Sequence, residues 1–384
     1  MTPKGFKCLG KHIGIKAKNK NKDFALIASD VPANAAAVFT RSTFCGAPVI
    51  LGKELIKQGR AQAFFITSGV SNVATGAEGI NNARREMTAI AEELGIEPNL
   101  VLPNATGVIG VQLPMEKILP AISGCKSELG TYNWQDTAEA IMTTDTHAKL
   151  VRKQVGQAVL IGMAKGAGMI EPNLATMLSF WVTDAEIPAD ELQEMLRRVV
   201  NRSFNRLSID TDTSTSDTVA IMANGQAGKV DLEVFERAFT EAAINLSKQI
   251  VTDGEGATKL IEVVVSDAVD EVQAKVMAKS VVNSPLVKTA VYGADANWGR
   301  VAMALGKTFD ERLDPQKIKI SFGSHVVYDN GAPTGIPDEP VEAYMKEAKQ
   351  VNIAVSLGLG EAEATVWGCD LTEDYIKINA LYRT

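Results

Sequence analysis

A glycine-rich turn that runs into a strand, with a threonine behind a small residue at the junction, constrains this chain more than any other feature. The segment is KGAGMIEPNLATMLSF, Lys165 to Phe180. Gly166 and Gly168 allow backbone conformations closed to other residues, and Pro172 fixes φ and removes a donor. From Thr176 to Val182 the run is apolar with β-branched and aromatic members, which reads as a buried strand. A turn of this kind can hold a strained peptide, and Ala175-Thr176 lies at its end. If that bond breaks, the hydroxyl of Thr176 gains an α-amine of its own residue, with a pKa of about 8, as a general base. Taken alone, the segment reads more readily as a plain glycine-rich loop entering a buried strand.

Elsewhere, strand-like runs alternate with helical ones. In the first half the pattern predicts strands at Ala63–Thr67, Leu100–Leu102, Gln157–Met163 and Met177–Val182. Helices are predicted at Asn81–Leu94, Trp134–Met142 and Pro188–Val200, the last with proline in its first turn. The second half reads as strands at Val219–Met222, Ile261–Val265, Ile318–Phe322, His325–Tyr328, Ile353–Leu357 and Ala364–Trp367. Helices are predicted at Leu232–Ile250, Asp270–Val281 and Val341–Lys349. This is an α+β pattern of layered sheets and helices, and periodicity does not give the strand order. At 384 residues the chain exceeds the size at which single cores stop growing, so two core-forming lobes are expected.

The net charge of -7 argues against a nucleic-acid or anionic-membrane partner. Seven lysines between Lys4 and Lys22 have no flanking apolar core and read as a solvated surface, neither a signal peptide nor an anchor. Cys8, Cys45, Cys125 and Cys369 are scattered and His12, His147 and His325 stand alone, so neither a metal site nor a disulfide framework is expected. No apolar run reaches about 18 residues, the length a membrane-spanning helix needs. The cytoplasm is the default location.

Seven motifs occur in a fixed order: NATGVIG (Asn104–Gly110), IMTTDT (Ile141–Thr146), KGAGMIEPNLATML, DTDTSTSDT (Asp210–Thr218), DGEGATKL (Asp253–Leu260), NSPLVKTAVYGADANWGR (Asn283–Arg300) and GCDLTEDYIKINALYRT (Gly368–Thr384). Together they resemble the ornithine acetyltransferase family, self-cleaving glutamate N-acetyltransferases of the cyclic arginine pathway. The resemblance spans nearly the whole chain. It implies an αββα sandwich of the ornithine acetyltransferase/aminopeptidase kind, and cleavage into an α chain, Met1–Ala175, and a β chain, Thr176–Thr384. The two pieces are expected to form one folded unit, paired as (αβ)2 or higher. No cofactor is implied.

The resemblance also implies the site. Thr176 is the nucleophile, and Thr106 through its hydroxyl and Gly107 through its backbone N–H form the oxyanion hole. Substrate contacts fall on Thr143, Lys165, Thr176, Glu255, Asn379 and Thr384. One charge of each sign is also a physical minimum for a small amino-acid substrate, because an ammonium or carboxylate drawn out of water must find a partner. Lys165 suits a carboxylate and Glu255 an ammonium.

Other segments look chemical but read as structural. Asp210–Thr218 lacks the glycine of a calcium loop and reads as a hydrogen-bonded loop near the site. GEGATK lacks the phosphate-loop spacing, and GADANWGR reads as a packed turn anchored by Trp298. Glu171, Thr211 and the segment Ser68–Gly76 depart from the common family pattern. Glu171 and Thr211 resemble the branch found in clavulanic acid gene clusters. The physiological amine acceptor therefore stays open: glutamate, a different amine in a specialised paralogue, or water in a hydrolase built on the same threonine.

Overall fold

One long strand, Phe24–Phe39, explains how the first half of the chain makes two layers from one sheet. In the computed structural model, all residues are described except 17–19, 172–176 and 382–384. Two units result. Unit 1 holds Met1–Asn205 and Thr213–Ile250; unit 2 holds Arg206–Asp212 and the chain from Val251 through the last described helix. The strands in chain order are β1 (Phe6–Lys11), β2 (Phe24–Phe39), β3 (Arg60–Val70), β4 (Val101–Val108), β5 (Lys149–Val155), β6 (Ala158–Lys165), β7 (Leu178–Glu186), β8 (Leu207–Ser208) and β9 (Thr218–Lys229). They are followed by β10 (Leu260–Ala268), β11 (Lys319–Phe322), β12 (His325–Asp329), β13 (Ala332–Pro333), β14 (Gln350–Ser356) and β15 (Ala362–Cys369).

The sheet of unit 1 runs β4-β3-β2-β9-β7-β6-β5, with β1 also paired to β2. Phe24–Ala28 pair with β1 and β3, whereas Asn34–Phe39 pair with β9. Between Ala28 and Ala33 the register with β3 shifts, because β2 uses more residues than its partner. Such a bulge bends a strand and increases its twist. The two halves of the sheet consequently face each other. Ile27, Phe64 and Ile66 of one half share a buried cluster with Ile161, Met163, Phe180, Val182 and Met222 of the other. The Phe64 and Phe180 rings lie 5.5 Å apart across that interface.

Each outer face is covered by helices. Phe24, Leu26 and Phe65 pack with Met87 and Ile90 of helix Gly76–Leu94 and Ile118 of helix Met115–Ile122. Trp181 packs against Phe239 of helix Leu232–Thr252, with ring centroids 4.7 Å apart. Unit 1 is thus the expected αββα sandwich. Strand β7 is buried from Leu178 to Ala185, which is why its sequence shows no strict apolar/polar alternation. Each fully buried aromatic or aliphatic side chain here contributes about 1.5–3 kcal/mol.

Two expectations need correction. The lysine-rich start is not a solvated surface throughout: Phe6 and Cys8 are fully buried in β1, while Lys7 and Lys11 point out to Asp30 and Glu128. Lysines alternating with apolar residues are the mark of a strand with one wet face. In addition, the strand predicted at Leu100–Leu102 is longer and takes in NATG. Strand β4 continues through it, so Thr106 and Gly107 lie inside a strand.

Unit 2 has its own sheet, ordered β13-β12-β11-β14-β10-β15-β8. Strand β10 lies parallel to β14 and antiparallel to β15. Val263, Val265, Ile353, Val355 and Val366 pack with Met277 and Val281 of helix Glu271–Val282 and Met345 of helix Asp338–Glu347. Local sequence sets the helix starts. The Asp270 carboxylate accepts the Gln273 N–H at 2.7 Å, and Ser284 with Pro285 begins helix Pro285–Gly293. Trp298 stacks on Tyr328 at 5.1 Å and opens helix Trp298–Gly306, so GADANWGR is a packed turn that continues into a helix. Among the described residues, no helix is long and apolar enough to cross a membrane.

Candidate active site

Thr106 and Gly107 sit near the end of β4, paired with β3. Gly69 faces Gly107 in the parallel ladder, and Val70 stands opposite both Thr106 and Val108. The register shifts at Val70, so a bulge lies next to the Gly69 and Gly107 pair and locally disrupts the ladder. Gly107 has φ +129°, and a Cβ there would lie 2.3 Å from the Gly69 carbonyl carbon. Only glycine fits. Thr106 beside it is 5% exposed.

Lys165 ends β6, directly across from Leu178 at the start of β7. Its Nζ lies 3.4 Å from the Thr143 hydroxyl. Asp145 fixes the geometry of this corner. It accepts the Thr143 N–H at 3.0 Å, the Gly166 N–H at 2.6 Å and the Lys149 ammonium at 2.6 Å. The Asp145 and Lys149 side chains are fully buried. Burial alone would raise the Asp145 pKa, but the charges of Lys149 and Lys165 and the Gly166 N–H outweigh it and hold the carboxylate below its ordinary range.

Lys16 connects this corner to the glycine pair. Its side chain passes Gly69, whose added Cβ would lie 3.2 Å from the Lys16 Cγ. Its Nζ donates to the Lys22 carbonyl at 2.6 Å. Burial pulls the Lys16 pKa down to about 8; Asp23 and Asp145 oppose the fall, and Lys165 adds to it. Burial therefore makes this ammonium easier to deprotonate than an exposed lysine.

Asp217 begins the last approach to β9. The N–H of Thr218, the next residue, donates to the Met177 carbonyl at 3.1 Å, and the Thr40 N–H donates to the Asp217 carbonyl at 3.0 Å. The Asp217 side chain is 1% exposed, and its Oδ2 has no hydrogen-bond partner among the described residues. Burial drives its pKa well above the carboxylate range, against the Ser214 hydroxyl and the Lys165 charge. The preceding loop is held by its own side chains, with the Ser216 N–H on the Ser214 hydroxyl at 3.2 Å and the Thr213 hydroxyl on the Glu171 carbonyl at 3.2 Å.

In unit 2, Glu255 and Asn379 meet, with the Asn379 amide donating to the Glu255 carboxylate at 2.8 Å. Glu255 is 8% exposed. The link between Gly256 and helix Glu373–Leu381 is tight: the Thr372 hydroxyl donates to the Gly256 carbonyl at 2.7 Å. The Tyr375 hydroxyl reaches Asp210 at 3.3 Å. Burial raises the Tyr375 pKa, and Asp210 pushes it further.

The structure thus brings together Lys165 with Thr143, Thr106 with Gly107, and Glu255 with Asn379. Ala175, Thr176 and Thr384 lie outside the described residues. Sequence reading missed Asp145, Lys149, Lys16 and Asp217. The first two are spaced four apart in IMTTDTHAK, a signal that a surface ion pair would give equally. Asp217 belongs to a run of Asp, Thr and Ser in which nothing marks one carboxyl as buried.

The ArgJ family model matches residues 7–384. The chain is 51% identical to the arginine biosynthesis bifunctional protein ArgJ 2 of Clostridium acetobutylicum, over 100% of this chain and 98% of that protein. It is 46% identical to the glutamate N-acetyltransferase Oat2 of Streptomyces clavuligerus, with the same shares covered. A crystal structure of the arginine biosynthesis bifunctional protein ArgJ of Bacillus halodurans covers 52% of this chain and 96% of its own, at 45% identity and a TM-score of 0.50. With a family model matching almost end to end and relatives of this identity covering the full length, the chain belongs to the ArgJ family.

Proposed function

We propose that the protein is a self-cleaving glutamate N-acetyltransferase that moves an acetyl group from N2-acetyl-L-ornithine to L-glutamate through an acetyl ester on Thr176. The observation that carries this reading is the start of β7 at Leu178, two residues after Thr176 in the sequence, which pairs with Lys165 at the end of β6 and with Thr218 at the start of β9. Processing begins when the Thr176 hydroxyl attacks the Ala175 carbonyl. The C–N bond breaks, the hydroxyl proton passes to the departing nitrogen, and water hydrolyses the resulting ester to leave an Ala175 carboxylate and a free Thr176.

In turnover the α-amine takes the Thr176 hydroxyl proton as Oγ attacks the donor's acetyl carbon. The tetrahedral oxyanion is held by the Thr106 hydroxyl and the Gly107 N–H. Collapse breaks the donor C–N bond and the proton leaves on the ornithine amine. Glutamate then takes the acetyl group by the reverse sequence. One difficult amide exchange becomes two easier steps. Lys165 and Thr143 receive the substrate carboxylate, and Glu255, Asn379 and Thr384 receive the remaining polar groups.

The cleaved pieces, Met1–Ala175 and Thr176–Thr384, stay together because the sheet of unit 1 interleaves them. Strands β7 and β9, from beyond the cut, lie between β2 and β6, from before it. The αβ units pair as (αβ)2 or higher. The enzyme works in the cytoplasm on small amino acids, without nucleic acid or membrane.

A different amine acceptor is a second reading, favoured by Thr211. This residue has φ +69°, a left-handed conformation strained for a β-branched side chain, so the Asp210–Asp212 corner is a departure with a structural consequence. Acetyl-ornithine turnover with and without glutamate separates the readings. Ornithine release that depends on glutamate, with acetylglutamate formed in equal amount, is expected; release that ignores glutamate makes the protein a hydrolase, and release restored by another amine names a different acceptor.

A further inference from the structure

Strand β2 leaves one edge open after it parts from β3. Its last pairs with β3 are Ala33 with Ala61 and Asn34 with Arg60, and from there to Phe39 it pairs in the sheet with β9 alone. An open strand edge is a row of donors and acceptors that must be answered. Here the Ala35 N–H is taken by the Gly59 carbonyl at 2.9 Å, and the Ala37 N–H by the side-chain carbonyl of Gln193 at 3.3 Å. Beyond these two plugs, the strand edge, residues 53–59 and the start of helix Ala189–Arg202 line a cleft of about 530 Å³. Small-molecule sites fall in the range of about 300–1,000 Å³.

The lining combines apolar surface with unbalanced positive charge. Val38, Ile56 and Ala189 are part-exposed there. Lys53, Lys57 and Arg197 stand against a single lining carboxylate, Asp190. In a chain of net charge -7, a concavity with three cations to one anion is a local reversal of sign. Lys53 is held in place: its Nζ donates to the Thr40 carbonyl at 3.0 Å, and the Thr40 hydroxyl is itself fixed on the Ser214 carbonyl at 2.8 Å. That bond uses one of the three ammonium hydrogens. Lys57 is exposed and enters no ion pair among the described residues. Arg197 meets Glu194 at 2.6 Å, but both side chains are more than half exposed, and such a pair is readily exchanged for a better-placed anion.

The plugs decide what kind of occupant fits. A peptide adding to this edge as a strand needs the Ala35 and Ala37 N–H groups, and both are already satisfied. A small molecule needs only the volume, the apolar surface and the cations.

We propose that this cleft is a binding site for a small organic anion. Its apolar body lies against Val38, Ile56 and Ala189, and its carboxylate, sulfonate or phosphate group is met by Lys57, Arg197 and the remaining hydrogens of Lys53. The cleft shares no lining residue with the site assigned to acetyl transfer, and the inference does not rest on that reading.

The test is a titration of the folded protein with two fluorescent probes of nearly one shape. One is 1-anilinonaphthalene-8-sulfonate, an anion; the other is N-phenyl-1-naphthylamine, its uncharged counterpart. The sulfonate is expected to bind about tenfold more tightly or better, and its affinity should fall as salt is raised from about 20 mM to about 500 mM. Gln193→Glu is the decisive variant. It keeps an oxygen for the Ala37 N–H and places a negative charge in the cleft, so sulfonate affinity should drop about tenfold while the uncharged probe binds as before. Lys57→Gln combined with Arg197→Gln, both at exposed positions, should give a comparable loss with the thermal midpoint unchanged. Lys165→Met should leave sulfonate affinity in place.

Equal binding of the two probes overturns the proposal, as does an unchanged sulfonate affinity in both cleft variants. Loss of binding in Lys165→Met assigns the probe to the other site and overturns it too. A change of assembly size in the Lys57→Gln and Arg197→Gln double variant, read by sedimentation, would give this face to a second copy of the chain and end the small-anion reading.

Discussion

Asp145 and Asp217 are both buried in unit 1 and both lie in the field of Lys165, yet their surroundings decide opposite charges. Around Asp145 the chain supplies Lys149, two backbone N–H groups and Lys165, and the carboxylate is held ionised. Around Asp217 it supplies one hydroxyl and a shared cation, and burial wins. A buried charge that is fully partnered fixes geometry. One that is incompletely partnered gives up its charge instead.

The comparison breaks most readily at Lys149. Removing one partner of a buried ion pair typically costs about 3–5 kcal/mol, so Lys149→Met should lower the denaturation free energy by that order. Asp217→Asn in the uncleaved chain should cost nothing. If the two substitutions destabilise equally in denaturant titrations, the distinction between the two aspartates fails.

Thr106→Ala comes next. Loss of one oxyanion donor costs about 2.7–4 kcal/mol of transition-state stabilisation, a 100- to 1000-fold fall in kcat. The thermal midpoint should barely move. A fall in stability with kcat intact would place Thr106 with the scaffold.

The pH dependence of stability sharpens the contrast. The folded-state pKa of Asp145 is depressed, so its contribution is present above the unfolded value, about 3.9, and is lost as pH falls through the folded value. That of Asp217 is raised, so the folded state weakens as pH climbs from about 3.9 toward the folded pKa. In the Thr176→Ala background, the advantage of Asp217→Asn should therefore grow as pH rises above about 3.9 and vanish at the acid end. A constant difference would mean that ionisation of Asp217 is not its cause.

The smallest effect is expected at Thr211, in unit 2. Its left-handed backbone costs a non-glycine residue about 1–2 kcal/mol, and Thr211→Gly should recover part of that in the thermal midpoint. Amine-acceptor preference in the same variant tells whether the strain is kept for specificity.

How much of this was legible in sequence follows from range. Buried strands such as β7 and β10 and helices with local caps, such as the one begun by Ser284 and Pro285, announce themselves within a few residues. The bend of β2 does not, because it is set by pairing with β1, β3 and β9, which are distant in sequence. The lysine-rich start was misread for the same reason: only the sheet shows that Phe6 and Cys8 are inside. At the site, ordered motifs led to Thr106, Gly107, Thr143, Lys165, Glu255 and Asn379. Asp145 and Asp217 lie in motifs equally visible, but burial and its partners set their charge states, and burial belongs to the fold.

Intact-mass spectrometry of the purified protein under denaturing conditions tests the central claim most directly. The account predicts two fragments, Met1–Ala175 and Thr176–Thr384, from folded protein, with the full-length mass restored in Thr176→Ala. A single full-length mass from folded wild-type protein would leave Thr176 without an α-amine and contradict it.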